Sequence, residues 1–282
     1  MLFAAVFAAG CHRGPRLVIG SKDFTEQIVL GELLADAAQQ HPGPPVEVVR
    51  RFDLGGTLIC HRALEAGRIS VYPEYTGTAL ADIFHQPPPA DAAAAWRQTR
   101  ADYARLGLRI SPPLGFDDSF AILVRQTTAT RLHLETLSDL ARVAPRLRAG
   151  FGYEFMERPD GYRGLARAYH LHFAAPPHVM DLALTYMALA ARRVDVIAGD
   201  STAGRIAALH LRQLRDDRHF FPAYQAIYVY RPEAAPLLRP ILARLAGRIS
   251  TAAMRAMNAE VDVDHQDPKA VALRWLATLP AQ

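Results

Sequence analysis

Between Arg16 and Leu80 the chain alternates short apolar runs with turns and helical stretches, and that rhythm constrains its fold more than any other feature. Arg16-Leu-Val-Ile-Gly20 reads as a strand. Ser21-Lys-Asp-Phe-Thr-Glu-Gln27 then leads into an amphipathic stretch with Leu30, Leu33, Leu34 and Ala37 at helical spacing. Asp23 or Thr25 is placed to cap that helix, with Glu26 in its first turn. Val46–Arg51 is the next strand, followed by Leu54-Gly-Gly-Thr57 and a helical run to Ala66. Ile69–Tyr72 is a third strand, and a helix follows Thr78. Strand, turn and helix repeated in this order imply βαβ units and a largely parallel sheet, an α/β fold.

A second series begins after Pro112-Pro-Leu-Gly115. Phe116–Val124 is an extended apolar strand. Leu147–Phe151, a helix near Gly161–Tyr169, a helix at Asp181–Ala191 and a strand at Val194–Ile197 follow it. Asp216-Asp-Arg-His-Phe-Phe-Pro-Ala-Tyr224 leads into the strand Ala226–Tyr230. Two long extended segments flanking an inserted α/β unit predict two lobes joined by two crossovers. Residues 16–115 with 225–282 form the first, and 116–224 the second. Helical residues from Pro236 onward return to the first lobe. Pro87-Pro-Pro89 and Ala90–Ala95 read as a loop entering a helix. At 282 residues the chain can bury a full core, being long for one domain and short for three.

Composition removes several function classes. Half the residues are hydrophobic and 21% are charged, which excludes a disordered chain. The net charge of +4 is scattered with no basic stripe, so no nucleic-acid partner is expected. There is no Gly-rich lysine loop, so the chain does not itself hydrolyse ATP. Met1–Cys11 is the longest apolar run, too short for a membrane-spanning helix, which needs about 20 residues. It fits the apolar core of an export leader, and Ala8-Ala9-Gly10-Cys11 resembles a bacterial lipobox whose cysteine, Cys11, carries lipid. The expected location is therefore periplasmic or cell-surface, with a lipid anchor to the membrane. Cys60, in Leu58-Ile-Cys-His61, reads as a buried thiol.

Residues 69–80 carry the strongest functional signal. Tyr72, Tyr75, Thr76, Gly77 and Thr78 run from a strand into a turn, offering ring faces, hydroxyls and a glycine that lets a ligand approach the backbone. Tyr72 and Tyr75 are expected to share a strand face. Nothing in the segment is a nucleophile or a metal ligand, which points to small-molecule binding without a cofactor. The rival enzyme reading is a serine hydrolase: Gly199-Asp-Ser-Thr-Ala203 nearly forms a nucleophile elbow around Ser201, with His210, His219 and His265 downstream. Its last glycine is replaced by Ala203, and no downstream acid–histidine context supports it. His170-Leu-His172 lacks metal-site spacing and reads as solvated. A third class is a sensor that presents its ligand to a regulator.

Five segments occur in an order that resembles a known family: Ile19-Gly-Ser-Lys-Asp-Phe-Thr-Glu-Gln27, Asp53-Leu-Gly-Gly-Thr57, Tyr72-Pro-Glu-Tyr-Thr-Gly-Thr78, Glu157-Arg-Pro-Asp-Gly161 and Phe220-Phe-Pro-Ala-Tyr224. They look like the substrate-binding proteins of osmoprotectant ABC transporters, which capture glycine betaine, choline, carnitine and related quaternary amines. The resemblance spans roughly residues 16 to 280. It implies a two-lobed, type II-like periplasmic-binding fold closing on ligand at the cleft, with an ABC permease and its ATPase as partners. It also implies an aromatic cage for a trimethylammonium group, which has no N–H to donate and is held by ring quadrupoles. Tyr75, Phe120 and Tyr224 fall at cage positions, Phe120 standing where tyrosine is common. Gln27 and Thr78 match polar contacts to the ligand's other end; Lys22 and Asp117 or Asp118 match cleft positions. Asp200 stands where many relatives carry tyrosine, and Ala203 where they carry aspartate. Asp200 serves as a ligand contact, a cap for a helix near Ser201, or both. As a contact it shifts the expected ligand from glycine betaine toward choline, a larger betaine or another cationic amine. Arg158 and Asp160 read as a structural turn.

Overall fold

The computed structural model describes residues 15–42 and 45–280; Cys11, expected to carry lipid, lies outside them. Among the described residues ten strands form two five-stranded sheets. They are β1 (Arg16–Gly20), β2 (Glu47–Arg51), β3 (Val71–Tyr75), β4 (Arg109–Ile110), β5 (Phe120–Arg125), β6 (Ala149–Phe151), β7 (His178–Val179), β8 (Val196–Asp200), β9 (Leu211–Gln213) and β10 (Ala226–Tyr230). The first sheet has the order β2-β1-β3-β10-β4 and the second β7-β6-β8-β5-β9.

Each sheet departs from the expected parallel pattern at one strand. β1 pairs in parallel with β2 and β3, but β10 runs antiparallel to both β3 and β4. β6 pairs in parallel with β7 and β8, but β5 runs antiparallel to β8 and β9. The reason is topological. β5 and β10 carry the chain out of one lobe and back from the other, so each enters its sheet against the direction set by the βαβ units. The two crossovers touch at the bridge between Asp117 and Gln225.

Tyr72 and Tyr75 do not share a face. Three positions apart on a strand of period two, they point to opposite sides. Tyr72 packs with Cys60, Leu64, Tyr103 and Ile227, whereas Tyr75 packs on the side of Leu30, Leu33 and Tyr228. The helix Thr25–Gln39 buries that second side, and Ala235–Leu245, Thr251–Asp262 and Pro268–Leu276 close over it with Leu238, Ile241, Met254, Met257 and Leu276. The C-terminal helices thus pack on the same side of the first sheet as helix Thr25–Gln39.

Helix Thr251–Asp262 also reaches the second lobe. Arg255 Nε donates to the Ser201 carbonyl at 3.0 Å, and Asn258 Nδ2 donates to the Thr202 carbonyl at 3.0 Å. A Cβ at Gly204 would come within 2.5 Å of Ala259 backbone, so only glycine permits this close approach. Cys60 is fully buried, and burial pushes its thiol up to about 12.

Candidate functional site

A cavity of about 390 Å³ opens between the two sheets at the crossovers. The first lobe supplies Lys22, Asp23, Phe24, Gly56, Thr57, Tyr75, Thr78 and Asp82; the second supplies Asp118, Ser119, Phe120, Arg158 and Asp200; Tyr224 enters from the returning crossover. Tyr75, Thr78, Phe120, Tyr224, Asp200, Lys22 and Asp118 are therefore brought together around one cleft. Gln27 is not among the lining residues. It is fully buried, with its side-chain oxygen 3.5 Å from the Lys22 N–H.

The turn after β3 is stitched to the returning crossover. Thr76 Oγ1 accepts from the Gln225 N–H at 3.1 Å and donates to the Ala223 carbonyl at 3.2 Å. Gly77 sits against Tyr224: a Cβ there would lie 2.7 Å from the ring and 2.8 Å from the Ala223 carbonyl oxygen. The close approach that Gly77 allows is thus to the Tyr224 ring, where the sequence led us to expect a ligand.

Tyr75 is buried to 4% exposure, and its hydroxyl donates to Glu26 Oε1 at 2.6 Å. Glu26 also accepts from Asn258 Nδ2 at 3.0 Å. Burial, opposed by hydrogen bonds from Thr202, Tyr75 and Asn258 and helped by the charge of Asp200, raises the Glu26 carboxyl to about 7. Asp118 accepts from Thr202 Oγ1 at 2.8 Å; burial, reinforced by the nearby Glu26, lifts its carboxyl well above the usual range. Lys22 is buried in an ion pair with the fully buried Glu74, which also accepts from the Tyr75 N–H at 2.8 Å.

The aromatic faces already attract cations. Lys22 Nζ lies 5.2 Å from the Tyr75 ring centroid, and the Arg158 guanidinium carbon lies 5.5 Å from that of Phe120 and 5.9 Å from that of Tyr224. Arg158 is held by Asp160 through Nε at 2.9 Å and Nη2 at 3.0 Å, and it donates to the Tyr224 hydroxyl at 2.7 Å. Tyr224 in turn donates to Asp160. Burial opposes ionisation of Asp160, but hydrogen bonds from Arg158 and Tyr224 outweigh it and hold the carboxyl below its ordinary range. Arg158 and Asp160 thus form the expected turn, and the same contacts place Arg158 in the cleft wall.

Several lining residues escaped the sequence reading. Phe24 stacks on Tyr75 with centroids 6.5 Å apart and planes 18° from parallel. It occupies the N-cap position of helix Thr25–Gln39 without a side-chain cap, so neither Asp23 nor Thr25 has the expected capping role. Asp23 faces the cleft, and Thr25 Oγ1 donates to Asp262 at 2.6 Å. Asp82 lies four residues after Thr78, one helical turn on, a spacing that could have flagged it. Asp117 serves the scaffold by accepting the Tyr224 N–H at 2.7 Å. The helix after β8 begins at Arg205 with Gly204 at its N-cap, so Asp200 is not in the capping position. Ser201 is buried; its hydroxyl donates to the Asp117 carbonyl at 3.0 Å and accepts from the Ser119 N–H at 3.2 Å. That use as a strap between loops leaves the hydrolase reading unsupported.

The family model described as the substrate-binding domain of ABC-type glycine betaine transport systems matches residues 15–278. The chain belongs to this family. It is 36% identical to a glycine-betaine-binding protein of Pseudomonas aeruginosa, over 97% of this chain and 91% of that one. It is 32% identical to the carnitine transport binding protein OpuCC of Listeria monocytogenes, covering 92% and 85%. At 32% it also matches the ergothioneine transport permease/ergothioneine binding protein EgtU of Helicobacter pylori, over 93% of this chain and 47% of that longer one. A crystal structure of a glycine betaine/carnitine/choline ABC transporter protein superposes with a TM-score of 0.88 at 32% identity, covering 93% of this chain and 97% of that one. Apo YehZ from Escherichia coli gives 0.79 at 26%, covering 94% and 98%. The family is one of transport solute-binding domains, and the two-sheet architecture of this chain is that of its solved relatives.

Proposed function

We propose that the chain is the extracytoplasmic receptor of an ABC importer, that it hands its solute to a permease driven by an ATPase, and that its ligand is a betaine or related trimethylammonium compound. The observation that carries this reading is the convergence of Tyr75, Phe120 and Tyr224 on one cleft whose lining holds Asp23, Asp82, Asp118 and Asp200. A quaternary ammonium has no N–H to donate, so ring faces and carboxylates are the groups suited to it; each ring contact contributes about 0.5–2 kcal/mol, more as the site dries. Lys22 and Arg158 in the same lining suit an anionic end. With Asp200 present, a larger betaine whose two charges are well separated fits better than a ligand that brings its carboxylate close to Asp200. Attachment to the membrane through lipid on Cys11 belongs to the same proposal.

Calorimetric titration of the purified chain against glycine betaine, choline, carnitine and proline tests the reading. Binding of at least one trimethylammonium compound, with proline weak, is the expected result. No heat with any trimethylammonium compound refutes the ligand class.

A further inference from the structure

A groove of about 730 Å³ lies on the first lobe, apart from the ligand cleft, and no residue lines both spaces. β2 is the edge strand of the first sheet, and helix Thr57–Glu65 packs inward from it, its Cys60 and Leu64 clustering with Tyr72 and Ile227. The trough left between helix and edge has Val18, Leu54 and Ile69 in its lining. Ile59, Arg62, Ala63 and Ala66 line it from one helix face, at the spacing i, i+3, i+4 and i+7.

The lining holds Arg16, Arg51, Arg62 and Arg68 and, among the described residues, no carboxylate. The four are far apart in sequence, so they form no basic stripe there. Arg50 and Arg51 show how the charge stays available. Adjacent on β2, they point to opposite faces. Arg50 is taken by Glu32 at 2.7 Å and Asp36 at 3.0 Å, whereas the exposed Arg51 makes no side-chain ion pair among the described residues. Arg62 and Arg68 are exposed and likewise make none. Glu65, three residues after Arg62, turns to His61 at 3.5 Å instead. Arg16 meets Glu47 at 3.5 Å with both side chains more than half exposed, an ion pair that water weakens.

We propose that this groove docks on the anionic phospholipid headgroups of the membrane to which the chain is attached. Guanidinium forks pair with phosphate oxygens in two-point geometry. Ile59 and its neighbour Leu58, 55% and 47% exposed, add apolar contact at the headgroup boundary. The occupant follows from the chain's path as well as from charge. Arg16 stands five residues after Cys11, and five residues reach at most about 18 Å. Lipid on Cys11 therefore brings this end of the groove to the bilayer surface. The inference rests on the anchor proposed above and adds orientation to it: lipid retains the receptor, and the arginines set which face lies against the membrane.

The test is flotation of the full chain, made as Cys11→Ser so that no lipid is attached, with vesicles of phosphatidylcholine alone or with about 30% phosphatidylglycerol. Residues 1–10 carry no charged side chain, so any apolar contribution they make is common to both vesicle types. Anionic vesicles are expected to bind at least tenfold more tightly, since each arginine near such a surface contributes about fivefold. The preference should collapse between about 0.05 and 0.5 M salt. Arg62→Glu with Arg68→Glu abolishes it. Arg163→Glu with Arg167→Glu, the same charge change at exposed positions of the second lobe's helix Tyr162–Tyr169, leaves it intact. Equal binding to both vesicle types overturns the proposal. So does a preference lost equally in the two charge-reversed pairs, which reports net charge alone, or one that survives in a folded Arg62→Glu/Arg68→Glu protein. If circular dichroism shows that pair unfolded, Arg51→Gln decides: a severalfold loss supports the groove and an unchanged preference overturns it. A dimer broken by the same pair, with no vesicle preference, assigns the groove to a second copy and also overturns the proposal. Mass spectrometry of the wild-type protein from cells tests the anchor separately. A Cys11 without lipid defeats the anchor, and a groove-dependent vesicle preference still supports the docking face.

Discussion

Glu26→Gln should make the protein's stability less sensitive to alkaline pH. Glu26 is buried between Tyr75 and Asn258, and its carboxyl is raised from 4.5 to about 7, chiefly by burial. The folded state therefore holds this proton more tightly than the unfolded chain does. Stabilisation from the protonated form is fully present below about pH 4.5 and is lost as pH rises through about 7. A shift of that size corresponds to about 3 kcal/mol between the two limits. Glutamine keeps one acceptor, for the Tyr75 hydroxyl, presents N–H donors where Glu26 accepts from Asn258 Nδ2, and cannot ionise. Urea unfolding of both proteins at intervals from pH 4.5 to 8.5 measures the difference. The stability of Glu26→Gln relative to wild type should rise by about 3 kcal/mol across this range, because titrating groups other than the neighbouring Asp118, whose carboxyl is raised partly by Glu26, cancel in the comparison. A difference that stays flat, or falls, refutes the argument that Glu26 is forced to ionise in a dry site.

Tyr75→Ala removes one ring and leaves Glu26 without its hydroxyl partner; titration should show trimethylammonium affinity reduced about tenfold or more. Tyr75→Phe should lose less, since the ring face remains. Gly77→Ala forces the Tyr224 ring or the Ala223 carbonyl to move, so affinity should fall severalfold while circular dichroism stays near wild type. In a Cys11→Ser background, Cys60 should resist iodoacetamide at pH 8 and react once urea unfolds the chain, because its thiol is raised to about 12 by burial. Rapid labelling of the native protein would contradict that burial.

Much of the site was legible because its residues sit in short local segments. Lys22 follows the first strand, Tyr75 and Thr78 frame a strand-to-helix turn, Asp118 and Phe120 open β5, and Tyr224 precedes β10. Their chemistry was visible in those segments, while their convergence followed from the resemblance and the two-crossover pattern. Arg158 reads as a turn residue in the sequence because its pairing with Asp160 is local, two residues apart, whereas its contact with Tyr224 spans 66 positions. Phe24 has no such local signal: a lone aromatic before a helix has no periodicity to mark it.

The sequence by itself determined the alternation of strands and helices, the presence of two α/β units and the residue types available for a cation. Those properties depend on local periodicity and on side-chain chemistry, which a linear chain displays directly. Tertiary structure decided the rest. It reversed β5 and β10 within their sheets, sent Tyr72 and Tyr75 to opposite faces, and placed Gln27 outside the cleft lining. It also assigned Gly77 to Tyr224 and gathered Glu26, Asp118, Thr202 and Asn258 into one buried network. Each of these outcomes depends on distances between residues far apart in sequence and on how much water is excluded between them, quantities that exist only once the two lobes have packed.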